Sequence, residues 1–238
     1  MTNTRPIHDY HFEGNYTEHN ITTADGKVLN GLLFKADSSK GLILYLHGGG
    51  HALDKWARYA STYTQLHYDI FFLDYRGFGK SQGKRPTEQQ LYSDVQAAYN
   101  NLKAMYGEDH IVVFGYSFGT ASAAMLAANN HPKALVLQAP YYSGIAAVQN
   151  NYPVIAAIIP SFLLQYQLRT YSFVAKTKAP VVIIHGANDS TFPVSQAYRL
   201  RELCKPIDTL IVLQGQGHNG FTENKEYLPI LQSVFKRL

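Results

Sequence analysis

Residues 115–119 read Gly115-Tyr116-Ser117-Phe118-Gly119, between an apolar run and an alanine-rich stretch. A serine hydroxyl is a weak nucleophile until a neighbouring base takes its proton. To expose that hydroxyl, the chain must make a sharp, strained turn from strand to helix. Glycines two positions to either side let those two elements come close. Ala121, Ser122, Ala123 and Ala124 carry the small residues into the predicted helix. The competing explanation is an ordinary strand-to-helix turn that happens to hold a serine. The strand before it and the helix after it favour the nucleophile.

A base is then required. Gly215-Gln216-Gly217-His218-Asn219-Gly220 lies on a glycine-rich loop directly after the last predicted strand. An isolated histidine is usually a turn residue, but position and chain order make His218 the base. Between the two stands His185-Gly186-Ala187-Asn188-Asp189. Asp189 is the expected acid, which would orient the imidazole and stabilise its cation. An Asx turn is the plainer reading of Asn188-Asp189. Asp208 is the rival acid, but it opens a strand at the opposite end of the sheet.

Acyl chemistry also needs two backbone donors for the developing oxyanion. Phe118, next after the serine, offers one. The second is expected from His47-Gly48-Gly49-Gly50-His51, where glycines admit close approach. Gly49 is the expected donor, with Gly48 as the alternative. His47 and His51 have the spacing of a helical metal pair, but the loop is not a helix, so no metal is expected. Asp74-Tyr75-Arg76-Gly77-Phe78-Gly79-Lys80-Ser81 is read as structural, with Asp74 and Arg76 satisfying backbone groups.

These residues all follow predicted strands. Residues 42–46, 70–73, 111–114, 135–137, 181–184 and 210–213 are short continuous apolar runs, as in strands covered on both faces. Amphipathic segments near 54–66, 87–106, 118–130, 194–204 and 224–236 separate them. That rhythm predicts a parallel sheet with right-handed crossovers. Segments 16–23 and 27–35 flank Asp25-Gly26, a hairpin signal, and are expected to pair antiparallel at one edge. Residues 141–175 interrupt the rhythm and are read as a lid insertion over the carboxyl edge of the sheet. Within it, the stretch 141–168 is apolar and uncharged. Tyr141, Phe162 and Leu163 are the expected substrate-binding residues there.

Composition agrees. The chain has 238 residues, 46% apolar and 16% charged, enough for one domain. A formal charge of +4 spread along the chain gives no support to nucleic-acid binding. Cys204 is the single cysteine, which fits a reducing compartment. Neither a signal peptide nor an apolar stretch long enough to span a membrane is visible, so the cytoplasm is the default location.

As a set, His47-Gly48, the 74–81 run, the Ser117 turn, His185-Gly-x-x-Asp189 and Gly217-His218 resemble the α/β-hydrolase superfamily from about Tyr16 to the end. Leu91-Tyr92-Ser93-Asp94-Val95-Gln96-Ala97-Ala98-Tyr99 and Gly217-His218-Asn219 look like single-domain serine hydrolases that include protein depalmitoylases and their bacterial relatives. The resemblance implies a single domain over 1–238, with a mostly parallel eight-stranded sheet flanked by helices. It also implies hydrolysis of acyl esters or thioesters through an acyl-enzyme, without cofactor or metal. No cysteine cluster for lipid anchoring is present, which argues against a stable membrane anchor and a palmitoyl-protein substrate and favours a small or lipid-like acyl compound. The same triad can also serve a peptidase or a carbon–carbon hydrolase, and a non-catalytic binding protein is the third reading. The oligomeric state is left open.

Overall fold

The computed structural model describes residues 10–152, 154 and 164–238. Eight strands form one sheet in the order β1-β2-β4-β3-β5-β6-β7-β8. They are β1 (Tyr16–Thr22), β2 (Val28–Phe34), β3 (Leu42–Leu46), β4 (Asp69–Leu73), β5 (Ile111–Tyr116), β6 (Ala134–Gln138), β7 (Val181–Gly186) and β8 (Thr209–Leu213). β1, β2 and β4 pair antiparallel at one edge, and every pair from β4 through β8 is parallel. The expected fold, a mostly parallel eight-stranded sheet with an antiparallel edge hairpin, is the observed one.

The continuous apolar runs follow from this layering. In β3, Leu42, Leu44 and Leu46 enter one core, while Ile43 and Tyr45 enter the other. β5 divides the same way, with Ile111 and Val113 opposed to Val112 and Phe114. Alternating side chains point to opposite faces, so a strand covered on both faces must be apolar throughout.

α3 (Glu88–Tyr106) and α4 (Gly119–Asn129) cover the first face. α3 opens with a reciprocal cap: Gln90 N–H donates to Thr87 Oγ1 (3.2 Å) and Thr87 N–H to Gln90 Oε1 (3.0 Å). On the second face the expected 54–66 helix is broken. It consists of α1 (Leu53–Trp56), a 3₁₀ turn at Ala57–Tyr59 and α2 (Ala60–Thr64). None of the three has a side-chain cap. The arrangement sends Tyr63 into the core against Phe114 and brings Trp56 onto Tyr116. α5 (Gly144–Asn151) and α6 (Thr170–Val174) lie between β6 and β7. α7 (Ser195–Arg201) and α8 (Tyr227–Arg237) complete the set.

Arg76 differs from expectation. Its guanidinium grips the Asp94 carboxylate at 2.8 and 2.7 Å and also reaches Asp25. Its partners are carboxylates rather than backbone groups, because the loop lies between the β1–β2 hairpin and α3. It ties both to the sheet. Asp74 does accept a backbone N–H, from Leu53 at 3.1 Å.

Candidate active site

Ser117 sits at the end of β5 with φ +49°, a left-handed conformation uncommon outside glycine. The turn is held from inside. Ser117 N–H donates to Gln138 O at 2.9 Å, and Thr120 donates to Ser117 O through both N–H and hydroxyl. The flanking glycines are sterically obligatory. A Cβ on Gly115 would stand 2.7 Å from Ala123 Cβ, and one on Gly119 would stand 2.0 Å from Leu46 O. The small residues of α4 are thus what lets the helix start against the ends of β3 and β5.

The loop after β8 brings His218 over this turn. Ser117 Oγ lies 2.9 Å from His218 Nε2, and His218 Nδ1 lies 2.7 Å from Asp189 Oδ2. The carboxylate accepts from Nδ1–H, which leaves the Nε2 lone pair facing the serine. Asp189 follows β7 and is buried. Its Oδ1 accepts from the N–H groups of Thr191 (2.9 Å) and Phe192 (2.8 Å). Burial pushes its pKa up, but hydrogen bonds from His185, His218 and Phe192 N–H outweigh that and hold the carboxyl well below the usual range. It is therefore charged where an imidazolium would need it. Asp208 lies elsewhere, accepting from Val181 N–H and Lys205 N–H at the far end of β7 and β8.

Phe118 N–H and Gly49 N–H donate to no acceptor among the described residues. A Cβ on Gly49 would lie 3.8 Å from Phe118 Cβ, so the two loops face each other. His47 fixes the glycine loop. It is fully buried, and its Nδ1–H donates to Gly48 O at 2.7 Å. Carbonyl and N–H of one trans peptide point in opposite directions. Holding Gly48 O against the His47 ring therefore turns Gly49 N–H the other way. Tyr75 hydroxyl adds a bond to His47 O at 2.9 Å.

Beside the turn lies a cavity of about 230 Å³ walled by Gly49, Tyr75, Phe78, Leu91, Phe118 and Tyr166. A second of about 230 Å³ lies behind Tyr116, between Trp56 and the Asn219–Glu223 loop. Tyr141 lines neither. It is buried against Phe192 and its hydroxyl donates to Phe118 O at 3.1 Å, so it braces the turn from below. Phe162 and Leu163 lie outside the described residues. Among the described residues, no group of three or more His, Cys, Asp or Glu is placed to hold a metal, and no helix is long and apolar enough to cross a membrane.

Three residues without an assigned role in the sequence reading belong to this site. His185 is buried, donates from Nε2 to Phe192 O at 2.8 Å and stands 3.3 Å from Asp189 Oδ2. Tyr116 holds the His218 backbone through its hydroxyl at 2.8 Å. His47 orients the glycine loop. The sole signal in the sequence was their adjacency to the motifs, which says nothing about where a ring nitrogen points.

The comparisons agree with this architecture. The family model Hydrolase_4, described as serine aminopeptidase, S33, matches residues 37–172. The alpha/beta hydrolase domain-containing protein 17B of Homo sapiens is 31% identical over 207 residues, 82% of this chain and 66% of that protein. Its Xenopus laevis counterpart gives the same figures. The chain thus spans just under two thirds of the length of these relatives. Among solved structures, the Pyrococcus furiosus esterase Pf2001 superposes with a TM-score of 0.79 at 20% identity, over 100% of this chain and 97% of the other. With its family match covering more than half its length, the chain belongs to the Hydrolase_4 (serine aminopeptidase, S33) family of α/β hydrolases.

Proposed function

We propose that this chain is a serine hydrolase of acyl esters or thioesters, acting on small or lipid-like acyl compounds. The observation that carries the reading is the line from Ser117 Oγ to His218 Nε2 (2.9 Å) and from His218 Nδ1 to Asp189 Oδ2 (2.7 Å). Ser117 Oγ attacks the acyl carbon as its proton passes to His218 Nε2. The carbonyl oxygen becomes an oxyanion bonded by Phe118 N–H and Gly49 N–H. Collapse expels the alcohol or thiol, which takes the proton from His218. Water then attacks the acyl-enzyme by the same route and regenerates the serine. Asp189 keeps the imidazole in the reactive tautomer throughout. No metal or cofactor enters these steps. Residues 141–175 are read as a lid, and within it Tyr166 stands on the wall of the cavity beside Phe118. A cytoplasmic setting is part of the proposal, supported by the single cysteine.

An aminopeptidase is the second reading, favoured by the description of the family model. Against it, no carboxylate among the described residues stands on the walls of the cavity beside Phe118 to receive an α-ammonium. A fluorophosphonate should label the wild-type serine, and Ser117→Ala should abolish labelling and lower activity about 10³-fold or more without unfolding the protein. A panel of p-nitrophenyl esters, acyl thioesters and aminoacyl anilides then chooses between the readings. Turnover of anilides alone would reject the acyl-hydrolase assignment.

A further inference from the structure

Among the described residues that wall the cavity beside Phe118, one side chain is charged. Arg85 stands on its wall, with its guanidinium 5.0 Å from the centre of the Tyr166 ring. Tyr166 in turn meets the Phe118 ring edge-on at 6.0 Å, and its hydroxyl donates to Pro86 O. Phe118, Tyr166 and Arg85 therefore form a row leading away from the nucleophile. No carboxylate among the described residues lies within ion-pair distance of Arg85. The nearest acid in sequence, Glu88, is committed to the N–H groups of Gln167 (2.5 Å) and Leu168 (3.2 Å).

The two sides of the site are chemically distinct. His218 must hand its proton to the leaving group, so the leaving group stands on the His218 side. The loop that carries His218 contributes nothing to the cavity beside Phe118. What enters that cavity is the acyl chain, and its far end meets Arg85.

Resting on the acyl-hydrolase reading, we propose that the site takes acyl groups with an anionic far end, such as the half-esters or half-thioesters of dicarboxylic acids, and that Arg85 is the residue that selects them. The carboxylate at the end of the chain pairs with the guanidinium, while its methylenes lie against Phe78, Leu91 and Tyr166. A planar guanidinium held over a ring, 5.0 Å from its centre, offers its fork of N–H donors to a bidentate carboxylate.

The test uses the full chain and matched p-nitrophenyl esters: straight-chain monocarboxylates, and dicarboxylate mono-esters of the same length. For wild type, kcat/KM on the best carboxylated ester should equal or exceed that on its neutral partner, and added salt should lower this ratio. Arg85→Met should lower the ratio by about tenfold, with the neutral esters changed by less than about twofold. Arg85→Lys should retain part of the preference. Arg85 is exposed, so these variants are expected to fold. A wild-type ratio as low as that of Arg85→Met overturns the proposal while leaving the acyl-hydrolase reading intact. Absence of both ester turnover and fluorophosphonate labelling of Ser117 overturns both.

Discussion

The Tyr116 hydroxyl donates to the backbone carbonyl of His218 at 2.8 Å, one residue from the serine that faces the same histidine's ring. The strand that ends in the nucleophile thereby also holds the loop that carries the base. The Tyr116 ring is further packed on Trp56 and Phe221, and the Asn219 side chain lies 2.8 Å from its hydroxyl. Tyr116→Phe keeps the packing and removes the hydroxyl. One hydrogen bond is worth about 0.5–1.5 kcal/mol, so kcat should fall up to about tenfold with KM unchanged. A variant with wild-type kcat would show that the loop is held by other contacts.

Two aspartates separate chemistry from architecture. Asp189→Asn keeps the shape but removes the charge beside His218, and kcat should fall about 10³-fold or more. Asp208→Asn touches two N–H groups and Lys205 Nζ at the opposite end of the sheet. It should leave kcat unchanged and lower stability by about 1 kcal/mol, or 2–4 °C in Tm. Steady-state kinetics with thermal melts on both variants decide the matter, and the reverse pattern would reject Asp189 as the acid.

The sheet was legible because burial on both faces leaves an unbroken apolar run, as in 42–46 and 111–114, while the hairpin announced itself through Asp25-Gly26. The Ser117 turn was legible because steric crowding permits only glycine at 115 and 119. The break in 54–66 was not, since it follows from where Tyr63 and Trp56 find their aromatic partners. Nor was the role of His47, which depends on a single ring nitrogen reaching Gly48 O. Arg76 was misread because its acids, Asp25 and Asp94, are distant in sequence and meet it only when the hairpin and α3 pack.

The Lys35–Asp69 ion pair contributes to acid stability. Asp69 is buried, which raises its pKa, but Lys35 Nζ (2.7 Å), Tyr106 hydroxyl (2.6 Å) and Ala36 N–H (2.9 Å) more than offset this and leave it lowered. A lowered carboxylate means that the unfolded chain binds more protons than the native one. Its stabilising contribution is therefore complete above the unfolded value, about 3.9, and is lost as pH falls below it. Urea midpoints should decline from about pH 5 to pH 3, and Asp69→Asn should flatten that decline while lowering stability at pH 7. An identical slope in the variant would exclude Asp69 as a contributor.

The cavity beside Phe118 sets how far an acyl chain can reach. It is apolar along Tyr75, Phe78, Leu91 and Tyr166 and has a volume of about 230 Å³. Each methylene moved from water into such a wall contributes about 0.8 kcal/mol, so two should raise kcat/KM by roughly tenfold while space remains. Activity on straight-chain esters should rise from acetate and level off once the cavity is filled. Phe78 is a half-buried wall residue whose ring meets His47 and Tyr75 at their edges. Phe78→Ala removes that wall without touching Ser117, His218 or either oxyanion donor. Its plateau should move to longer chains, while activity on acetate changes by less than about threefold, because acetate never reaches the altered wall. Ser117 labelling by a fluorophosphonate reports whether the site is intact in the variant. A plateau at the same length in both proteins, or a wild type that prefers acetate, would show that the acyl chain lies elsewhere.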